Sequence, residues 1–464
     1  MAMPSKSRIF LITIFVLGIF MRTYQLVARY GYDHDNDLAS WIIKDIVVDK
    51  HLRLVGQLTS APGIYIGPLF YYALIPFYLL TRMDPVGGLG LSVIIGAASL
   101  FSLYYVVNKL HGRKIAVTTT LFYAGSYLLA STDRTVVPTT PVVLWTIWFY
   151  YAVNAGNLYL STFLLGLIWH IHLALGLLSP LVFLRKYSLK IWIVAALIFV
   201  ITSMPLIIFE AKHDFVQTRS LISSFSASGI PPNYYKKLGQ VIRYTSKNIN
   251  SIVGLSPRQP YNYLLPALLI TGLLLTPRRR IFSGWILLYV IFFTFHPILL
   301  SEYYLNGLNI LWLVAMGLVV SRLSRLSATM LLIGFLILNL FLFLSSAGDG
   351  NGYIERKSLV AYIAADAKKQ GFPCIAVSYM TSPGRELGYR YLFWLENLHV
   401  NHPDSGSPVY TIVFPHTLAG RLDATFGGLA LVLPDQNRYF PDQIKYSCSG
   451  ANSNLTDPML GFTK

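Results

Sequence analysis

Charged residues are scarce in this chain: Asp, Glu, Lys and Arg together make up 12% of its 464 residues. Hydrophobic residues account for 54%, and the mean hydropathy is +0.54. Soluble globular domains carry about 25% charged residues, so this composition excludes a soluble globular protein. The sequence predicts a polytopic membrane protein.

Acidic residues are the scarcer of the two charged classes, with 20 Asp and Glu against 37 Lys and Arg. In a soluble chain the resulting net charge of +17 would suggest nucleic-acid binding. Here the basic residues gather in short segments between apolar runs, as they do in cytoplasmic loops. Anionic lipid headgroups are therefore the expected partner of this charge, and no nucleic acid is predicted.

A cleavable signal peptide is also missing. The first apolar run has a basic flank but no small-residue cleavage site, and it is too long for a signal-peptide core. We expect it to be retained as the first of about eleven transmembrane helices. The apolar runs of spanning length lie near residues 8–28, 87–107, 115–132, 138–153, 157–171, 173–185, 190–209, 261–276, 281–299, 305–320 and 328–345.

A further apolar run at 64–81 decides the topology. If it crosses the membrane, four basic segments between later spans fall on the side opposite the N-terminus; if it only dips into the outer surface, they join Lys6 and Arg8 in the cytoplasm. The positive-inside rule prefers the second arrangement. We therefore predict an integral plasma-membrane protein with a cytoplasmic N-terminus and a first extracytoplasmic loop, 29–86, that contains juxtamembrane helices. The four segments lie at 108–114, 184–186, 277–280 and 321–325.

The chain turns polar after its last apolar run. We predict a transmembrane catalytic domain at 1–345 and a small extracytoplasmic α/β domain at 346–464. Residues 353–370 have the pattern of an amphipathic helix. Buried strands are predicted at 374–377, 410–414 and 428–433. The only cysteines, Cys374 and Cys448, can form a bridge in an oxidising compartment, or can remain two free buried thiols.

Three carboxylates, Asp33, Asp35 and Asp37, lie within five residues directly after the first apolar run. Carboxylates at a hydrocarbon boundary are costly to keep unless something uses them. They precede an amphipathic stretch and the apolar run 61–72, which is punctuated by Gly and Pro. Two roles fit this position: a reactive acidic site, or the N-cap of the helix that runs through 41–48.

The layout of this region resembles that of the GT-C glycosyltransferases. The resemblance is carried by the acidic cluster, the amphipathic helix, an aromatic dip flanked by Gly-Pro and an SxDR-type turn after the third span. The closest branch is glycosyltransferase family 39, with the protein O-mannosyltransferases and aminoarabinose transferases, over about residues 1–215. The residues of the dip and the turn are Gly67, Pro68, Tyr71, Tyr72, Ser131, Asp133 and Arg134.

The resemblance implies a polyprenyl-phosphate sugar donor, catalysis on the extracytoplasmic face and a first-loop Asp as the base. Transfer needs a carboxylate that takes the acceptor's proton; Asp33 is the predicted base, Asp37 a supporting or orienting acid and Asp35 the third candidate. The branch usually carries an Asp-Glu pair, whereas His34 follows Asp33 here. Two acids can also hold a divalent cation, as in oligosaccharyltransferases of the wider superfamily. Because no clear DxD lies on a second loop, no metal and no cofactor are predicted.

Positive groups must stabilise the departing phosphate. Arg134 is the first candidate, because a guanidinium makes forked contacts to phosphate oxygens; alternatively, Asp133 and Arg134 form a local pair, or Arg134 snorkels to lipid headgroups. The basic loop 210–260 either binds the lipid-linked phosphate or is solvated against anionic lipid. The predicted residues for the donor phosphate and the substrate are Arg134, Asp133, Tyr65, Tyr71, Tyr72, His172, Glu210, His213, Lys236, Lys237 and Arg243.

The sequence thus predicts a glycosyltransferase that moves a hexosyl or pentosyl group from a polyprenyl-phosphate donor to a protein, lipid or glycan acceptor. The alternative is a polytopic lipid or glycan transporter or flippase without transfer chemistry, and a further one is a non-catalytic scaffold. A transporter would use intramembrane charges and inverted repeats, and the two halves of the chain show no convincing repeat. A scaffold would not need the acidic first loop.

Overall fold

The computed structural model describes residues 5–59, 61–224, 233–255, 263–297, 300–346 and 348–450. The chain is mostly helical, with a small sheet near its C-terminus. By length and composition, three described helical stretches can cross a membrane, and a fourth is added when one bent pair counts as a single span. The predicted number of about eleven spans is therefore not confirmed. The three stretches are Pro85–His111, Glu302–Ser321 and Arg325–Ser345.

Sixteen α-helices lie before residue 348 in the part of the chain that the structure describes. The first eight are α1 Ser5–Thr23, α2 His34–Val47, α3 Leu69–Leu80, α4 Gly88–His111, α5 Arg113–Gly125, α6 Tyr127–Thr132, α7 Val142–Ala155 and α8 Leu158–Ile171. The next eight are α9 Leu189–Thr202, α10 Met204–Lys212, α11 Val216–Ser224, α12 Tyr234–Ile252, α13 Leu264–Leu274, α14 Arg279–Phe295, α15 Asn309–Ser321 and α16 Arg325–Ser345. Three-ten helices cover Pro85–Gly87, Leu173–Leu184 and Glu302–Leu308.

Two predicted spans are broken. The run 115–132 divides into α5 and α6 at Ser126, whose hydroxyl donates to the carbonyl of Ile252 at 2.7 Å instead of facing lipid. The run 190–209 divides into α9 and α10, which meet at a bend of 66°. Pro205 lies in the first turn of α10, where a missing N–H does no harm, but a helix that arrives from α9 cannot continue through it.

The structure also corrects the prediction that 210–260 is a loop. Helices α11 and α12 lie in this stretch, and parts of it, 225–232 and 256–260, fall outside the described residues. In α12 the residues Val241, Ile249 and Ile252 are buried. A helix with one apolar stripe packs that face against the protein and leaves its polar residues on the other face. The polar composition of this stretch is therefore compatible with a helix, although the sequence predicted a loop.

Helix α3 occupies the apolar run that decides the topology. It has 12 residues, so at about 1.5 Å per residue it is about 18 Å long. A hydrocarbon core is about 30 Å thick, and α3 is too short to cross it. The side of the membrane on which α3 lies stays a prediction.

The C-terminal segment, defined here as residues 348–450, contains a five-stranded sheet of order β2-β1-β3-β5-β4. Strands β1, β2 and β3 are parallel, and β3, β5 and β4 are antiparallel. The predicted helix at 353–370 and the three predicted strands are confirmed. Cys374 and Cys448 form a disulfide with their Cα atoms 5.4 Å apart. The elements are α17 Tyr353–Gln370, β1 Ile375–Thr381, α18 Arg390–Leu395, β2 Val400–Asn401, β3 Val409–Phe414, β4 Ala424–Phe426, β5 Leu429–Val432 and α19 Pro441–Ser447.

One apolar core joins the first loop to the C-terminal segment. Ile42 and Ile43 of α2 pack in the same buried cluster as Leu359 of α17 and Phe393 of α18. The backbone N–H of Tyr353 donates to the carbonyl of Tyr30 at 2.9 Å, so the first turn of α17 is attached just before α2. The start of α2 is therefore held between the membrane helices and the sheet.

Candidate active site

Asp33 is the N-cap of α2. Its Oδ1 accepts hydrogen bonds from the backbone N–H groups of Asp35 at 3.1 Å and Asn36 at 3.4 Å, and the Asn36 side chain accepts from the N–H of Asp33 at 3.0 Å. This is a reciprocal capping box, so the capping role considered for Asp33 is confirmed. Among the described residues nothing bonds its Oδ2. One oxygen of Asp33 orients the carboxylate, and the other stays open.

Asp33 is exposed, although the C-terminal segment approaches its backbone at Gly388. The lost hydration, and after it the negative charge of Asp35, raise the pKa of Asp33 above its ordinary value. The two N–H donors and Arg356 act in the opposite direction. A raised carboxyl pKa makes the group a better proton acceptor when it is ionised.

Asp35 lies two residues further, in the first turn of α2, and is also exposed. Gln57 donates from Nε2 to Asp35 Oδ1 at 2.8 Å, while its Oε1 accepts from the hydroxyl of Tyr71 at 3.0 Å. Gln57 is buried, and so is Tyr71. The structure thus brings two predicted residues, Asp35 and Tyr71, together through a glutamine that the sequence did not single out.

Asp37 points away from solvent and is only 1% exposed. Its Oδ1 accepts from the backbone N–H of Tyr391 in α18 at 3.0 Å and from the hydroxyl of Tyr32 at 3.2 Å. Burial raises the pKa of Asp37 to about 6. The prediction that Asp37 is a supporting acid is corrected on this geometry, because an enclosed carboxylate cannot reach a substrate. It joins α2 to the C-terminal segment.

Asp133 has a distant partner. Its Oδ2 lies 2.6 Å from Nη2 and 2.8 Å from Nε of Arg22, and it accepts from the hydroxyl of Tyr123 at 2.6 Å. Arg22 is 0% exposed and Asp133 is 3% exposed. The local pair of Asp133 with Arg134 does not form, since Arg22 of α1 takes the carboxylate. Asp133 is a buried structural group, which corrects its prediction as a phosphate-binding residue.

Arg134 is 8% exposed and lies at the C-terminal ends of α1 and α16. Its Nη2 donates to the carbonyl of Tyr24 at 2.7 Å, its guanidinium lies 5.7 Å from the ring centre of Phe343, and its Nε is buried without a partner. The guanidinium of Arg29 lies 4.8 Å from the same ring. Burial, and then the charge of Arg29, lower the pKa of Arg134 to about 10. Within the described ranges, no carboxylate forms an ion pair with either arginine.

The turn of Arg134 is connected to the start of α2. The carbonyl of Val136, two residues after Arg134, accepts from Nδ2 of Asn36 at 2.8 Å, and Asn36 is the residue that completes the cap of Asp33. The first loop and the turn after α6 are therefore parts of one local structure.

A second group of predicted residues surrounds Gln217 of α11. Its side chain accepts from the N–H of Tyr65 at 2.8 Å, and its own N–H donates to Glu210 at 3.0 Å. The His213 ring stacks on Phe209 with centroids 4.2 Å apart. Glu210 also accepts two bonds from Thr218, so it caps α11. Tyr65 of this group forms a β-bridge with Leu58, the residue after Gln57.

The remaining predicted residues are spread over other contacts. Tyr72 exchanges hydrogen bonds with the backbone of Arg53. His172 caps the three-ten helix that follows it and packs against the ring of Tyr304 at 5.5 Å. Lys237 donates to the carbonyl of His296. Lys236 and Arg243 are exposed on α12.

One set of described side chains could hold a metal ion: Asp45, Asp49 and His51, whose ligand atoms lie within 4.8 Å of one another. Arg53 already pairs with Asp45 at 3.0 Å, and Lys44 pairs with Asp49 at 2.7 Å. Two cations thus neutralise the two carboxylates, and the donor set fits an ion-pair network better than a metal site. We assign it no part in the chemistry.

Sequence reasoning missed Arg22, Arg29, Gln57 and Arg356. An arginine inside the first apolar run was a usable signal for Arg22, because an intramembrane charge needs a partner. The other three stand in ordinary polar surroundings in the sequence. Only their contacts distinguish them.

Solved structures with a similar fold exist. The chain is similar to ArnT from Cupriavidus metallidurans bound to undecaprenyl phosphate, with a TM-score of 0.59 and 10% identity, over 95% of this chain and 100% of that chain. The apo state of ArnT gives a TM-score of 0.58 and 10% identity, over 94% and 100% of the two chains. An oligosaccharyltransferase from Archaeoglobus fulgidus in complex with Zn and sulfate gives 0.47 and 10%, over 88% and 68%.

No protein-family model and no curated protein matches the sequence. With a TM-score of 0.59 at 10% identity, the chain shares the fold of ArnT, and a fold alone does not establish a reaction. This shared fold agrees with the fold that the resemblance implied.

Proposed function

We propose that this protein is a glycosyltransferase that moves a sugar from a polyprenyl-phosphate donor to an acceptor on the extracytoplasmic face of the membrane. The observation that carries the proposal is Asp33: an exposed carboxylate, oriented through one oxygen and open at the other, directly after the first membrane helix. The ArnT fold around it supports a polyprenyl-phosphate donor, since one ArnT structure holds undecaprenyl phosphate.

Asp33 is the proposed general base. As the acceptor's hydroxyl oxygen attacks the anomeric carbon of the sugar, Oδ2 of Asp33 takes the hydroxyl proton. The bond between the anomeric carbon and the phosphate oxygen breaks, and the polyprenyl phosphate leaves with the electron pair. The two backbone N–H groups at Oδ1 hold the carboxylate in one orientation throughout. Asp35, fixed by Gln57, is placed to accept hydrogen bonds from acceptor or sugar hydroxyls.

Arg134 and Arg29 are the proposed holders of the donor phosphate. Among the described residues neither guanidinium has a carboxylate partner. Burial makes the charge of Arg134 unfavourable, and its buried Nε has no hydrogen-bond acceptor. A phosphate group supplies both a countercharge and acceptor oxygens. Phe20 is 39% and Phe341 is 66% exposed on the adjoining faces of α1 and α16. These apolar faces suit the polyprenyl chain.

The proposed topology follows from charge and from cysteine chemistry. We propose that residues 1–345 form the membrane domain with a cytoplasmic N-terminus, and that residues 346–464 form an extracytoplasmic domain. The bridge between Cys374 and Cys448 supports this, because disulfides persist in oxidising compartments. The basic segments between the later spans support it as well.

The test is sugar transfer by membranes from cells that produce the protein, supplied with labelled polyprenyl-phosphate sugars. The rate of transfer is measured as the rate at which label leaves the lipid fraction. Asp33→Asn should decrease this rate by about a hundredfold to ten-thousandfold. Asparagine caps helices as well as aspartate does, so this variant keeps the cap. Asp33→Ala, which loses the cap as well, should fall in activity by a similar factor and lose about 1 kcal/mol of stability.

Asp35→Asn is the matched control, since it alters an exposed carboxylate two residues away on the same helix. It should lower turnover far less than Asp33→Asn. If Asp33→Asn is folded and transfers sugar at the wild-type rate, Asp33 is not the base. If no variant and no wild-type membrane consumes any polyprenyl-phosphate sugar, the transferase proposal fails altogether.

A further inference from the structure

The C-terminal segment contacts the residues around Asp33 through one loop. We define this loop, residues 382–389, as the cover loop; it runs from the end of β1 to the start of α18. Gly388 is buried against the backbone of Asp33: a Cβ atom built on Gly388 would lie 2.9 Å from the carbonyl carbon and 3.1 Å from the carbonyl oxygen of Asp33. Directly after the loop, the N–H of Tyr391 binds Asp37. The cover loop and the start of α18 therefore contact two points of the first turn of α2.

Arg356 of α17 fixes the cover loop from behind. It is 2% exposed, and its guanidinium donates to the carbonyls of Leu387 at 2.5 Å and Gly388 at 3.2 Å. The same group lies 4.3 Å from the ring centre of Tyr389. A guanidinium with several directional donors can hold a loop that has no regular backbone pairing of its own.

Arg356 also carries a charge toward the acidic turn. Among its described contacts, no carboxylate forms an ion pair with Arg356, yet its positive charge acts on both Asp33 and Asp37. It is thus a buried cation of the C-terminal segment whose charge acts on the start of α2. Arg356 donates its hydrogen bonds to the loop, and its positive charge favours the ionised forms of Asp33 and Asp37.

We propose that the C-terminal segment completes the active site by holding Asp33, with Gly388 and Arg356 as positioning residues. This inference rests on the proposed role of Asp33 as the base. The physical reason is distance: a base must stand within hydrogen-bond reach of the acceptor's proton, and a displacement of about 1 Å costs roughly a hundredfold in rate. The cap alone fixes Asp33 relative to α2, whereas the cover loop fixes its backbone relative to the sheet.

The cover loop offers a matched pair of glycines for the test. Gly388 has φ +87° and Gly384 has φ +90°, so alanine meets the same backbone strain at either position. A Cβ on Gly384 meets nothing within 4 Å, whereas one on Gly388 meets Asp33 and the guanidinium of Arg356 at 2.7 Å. Gly384→Ala therefore controls for strain, and the difference between the two variants reports the contacts of Gly388 with Asp33 and Arg356.

Two measurements apply to this pair in the full-length protein. Gly388→Ala should lower sugar transfer roughly a hundredfold through kcat, and Gly384→Ala should leave it near wild type. Hydrogen exchange should also accelerate at the amides of Asp35 and Asn36 in Gly388→Ala alone, because the Asp33 carboxylate protects them. Equal transfer rates and equal exchange in the two alanine variants would overturn the proposal.

A double-variant cycle separates this inference from the role of Asp33. If Gly388 acts through Asp33, then Gly388→Ala should add almost nothing to the loss already caused by Asp33→Asn. Independent, additive losses would refute the proposal. If Asp33→Asn has no effect by itself, the base assignment fails, and the exchange measurement at Asp35 and Asn36 still decides whether the cover loop holds the turn.

Arg356 gives a second route for a case in which Gly388→Ala does not fold. Arg356→Lys keeps the charge and part of the hydrogen bonding, whereas Arg356→Gln loses the charge. We expect Arg356→Lys to retain more transfer activity than Arg356→Gln, and faster exchange at Asp35 and Asn36 in both. Loss of activity in Arg356→Gln with wild-type exchange at these amides would contradict a positioning role.

Discussion

The first loop and the turn after α6 contain the same kinds of residue and use them in opposite ways. In the first loop, Asp33 stays exposed with one oxygen open, while a cation from the C-terminal segment stands behind it. In the turn after α6, Asp133 is enclosed by Arg22 and Tyr123, and Arg134 is left without an acidic partner. The first loop therefore has an exposed carboxylate, and the turn after α6 has a buried guanidinium without a carboxylate partner among the described residues.

The difference shows that burial, not the residue type or the number of hydrogen bonds, distinguishes these carboxylates. Asp133 is 3% exposed and its charge is balanced by a buried arginine, so a substrate cannot reach it. Asp33 is exposed, so the oxygen that does not take part in the cap can be reached from solvent. The same reasoning applies within the first loop itself, where Asp37 is enclosed and Asp33 is not.

The largest expected effect is on stability and comes from breaking the buried ion pair of Arg22 and Asp133. Asp133→Ala leaves the guanidinium of Arg22 buried without its countercharge, and such losses cost about 3–5 kcal/mol. The free energy of unfolding in detergent micelles measures it. The combination of Arg22→Met, Tyr123→Phe and Asp133→Leu should recover most of this loss, because it removes all of the buried polar groups together. A stable, fully active Asp133→Ala protein would contradict the structural role.

Asp37 provides the next effect, through pH. Burial raises its pKa from 3.8 to about 6 in the folded state, so folding favours the protonated form. The stabilisation is complete below the ordinary pKa and is lost as the pH rises through about 6. A shift of about two pKa units corresponds to about 3 kcal/mol.

Asp37→Asn tests this sign directly. The amide oxygen still accepts from Tyr391, but the side chain cannot ionise. At about pH 8 the variant should be more stable than the wild type, and at about pH 5 the difference should shrink. Thermal unfolding at the two pH values measures it. A variant that is less stable at both would show that the charged form of Asp37 is the one that folding favours.

The smallest expected effect concerns Arg134 and Arg29, the proposed ligands of the donor phosphate. Each charge-assisted hydrogen bond contributes about 1.5–3 kcal/mol, so Arg134→Gln and Arg29→Gln should each weaken binding of the polyprenyl-phosphate donor by about tenfold to a hundredfold. The effect should appear in KM for the donor more than in kcat. Arg185→Gln is the control, because Arg185 also donates to a backbone carbonyl, that of Asn154, at the face predicted to be cytoplasmic. Equal KM values in all three variants would remove Arg29 and Arg134 from the donor site.

Local patterns predicted local structure well. Helix α17 has the predicted bounds, and the three longer predicted strands are present, because periodicity is carried by neighbouring residues. Strands β2 and β4 have two and three residues, which is too short to show a period. The breaks at Ser126 and Pro205 were missed in runs that read as continuous, since a straight and a broken apolar helix have nearly the same composition.

The site was predicted in part. Asp33, Asp35 and Tyr71 do lie close together, as an acidic loop next to an aromatic dip suggests. The partners of Asp133 and Asp37 were out of reach of any local pattern, because Arg22 is 111 residues from Asp133 and Tyr391 is 354 residues from Asp37. The arginine pair around Phe343 likewise joins the two ends of the membrane region.

The sequence by itself determined that the protein is built for a membrane, that its charges are scarce and mostly basic, and that three acids follow the first apolar run. These are properties of composition and order, and no folding is needed to read them. The tertiary structure decided which of the acids is exposed and which arginines lack a carboxylate partner among the described residues. Hydration and charge pairing depend on the atoms that surround a group, and most of those atoms come from residues far away in the chain.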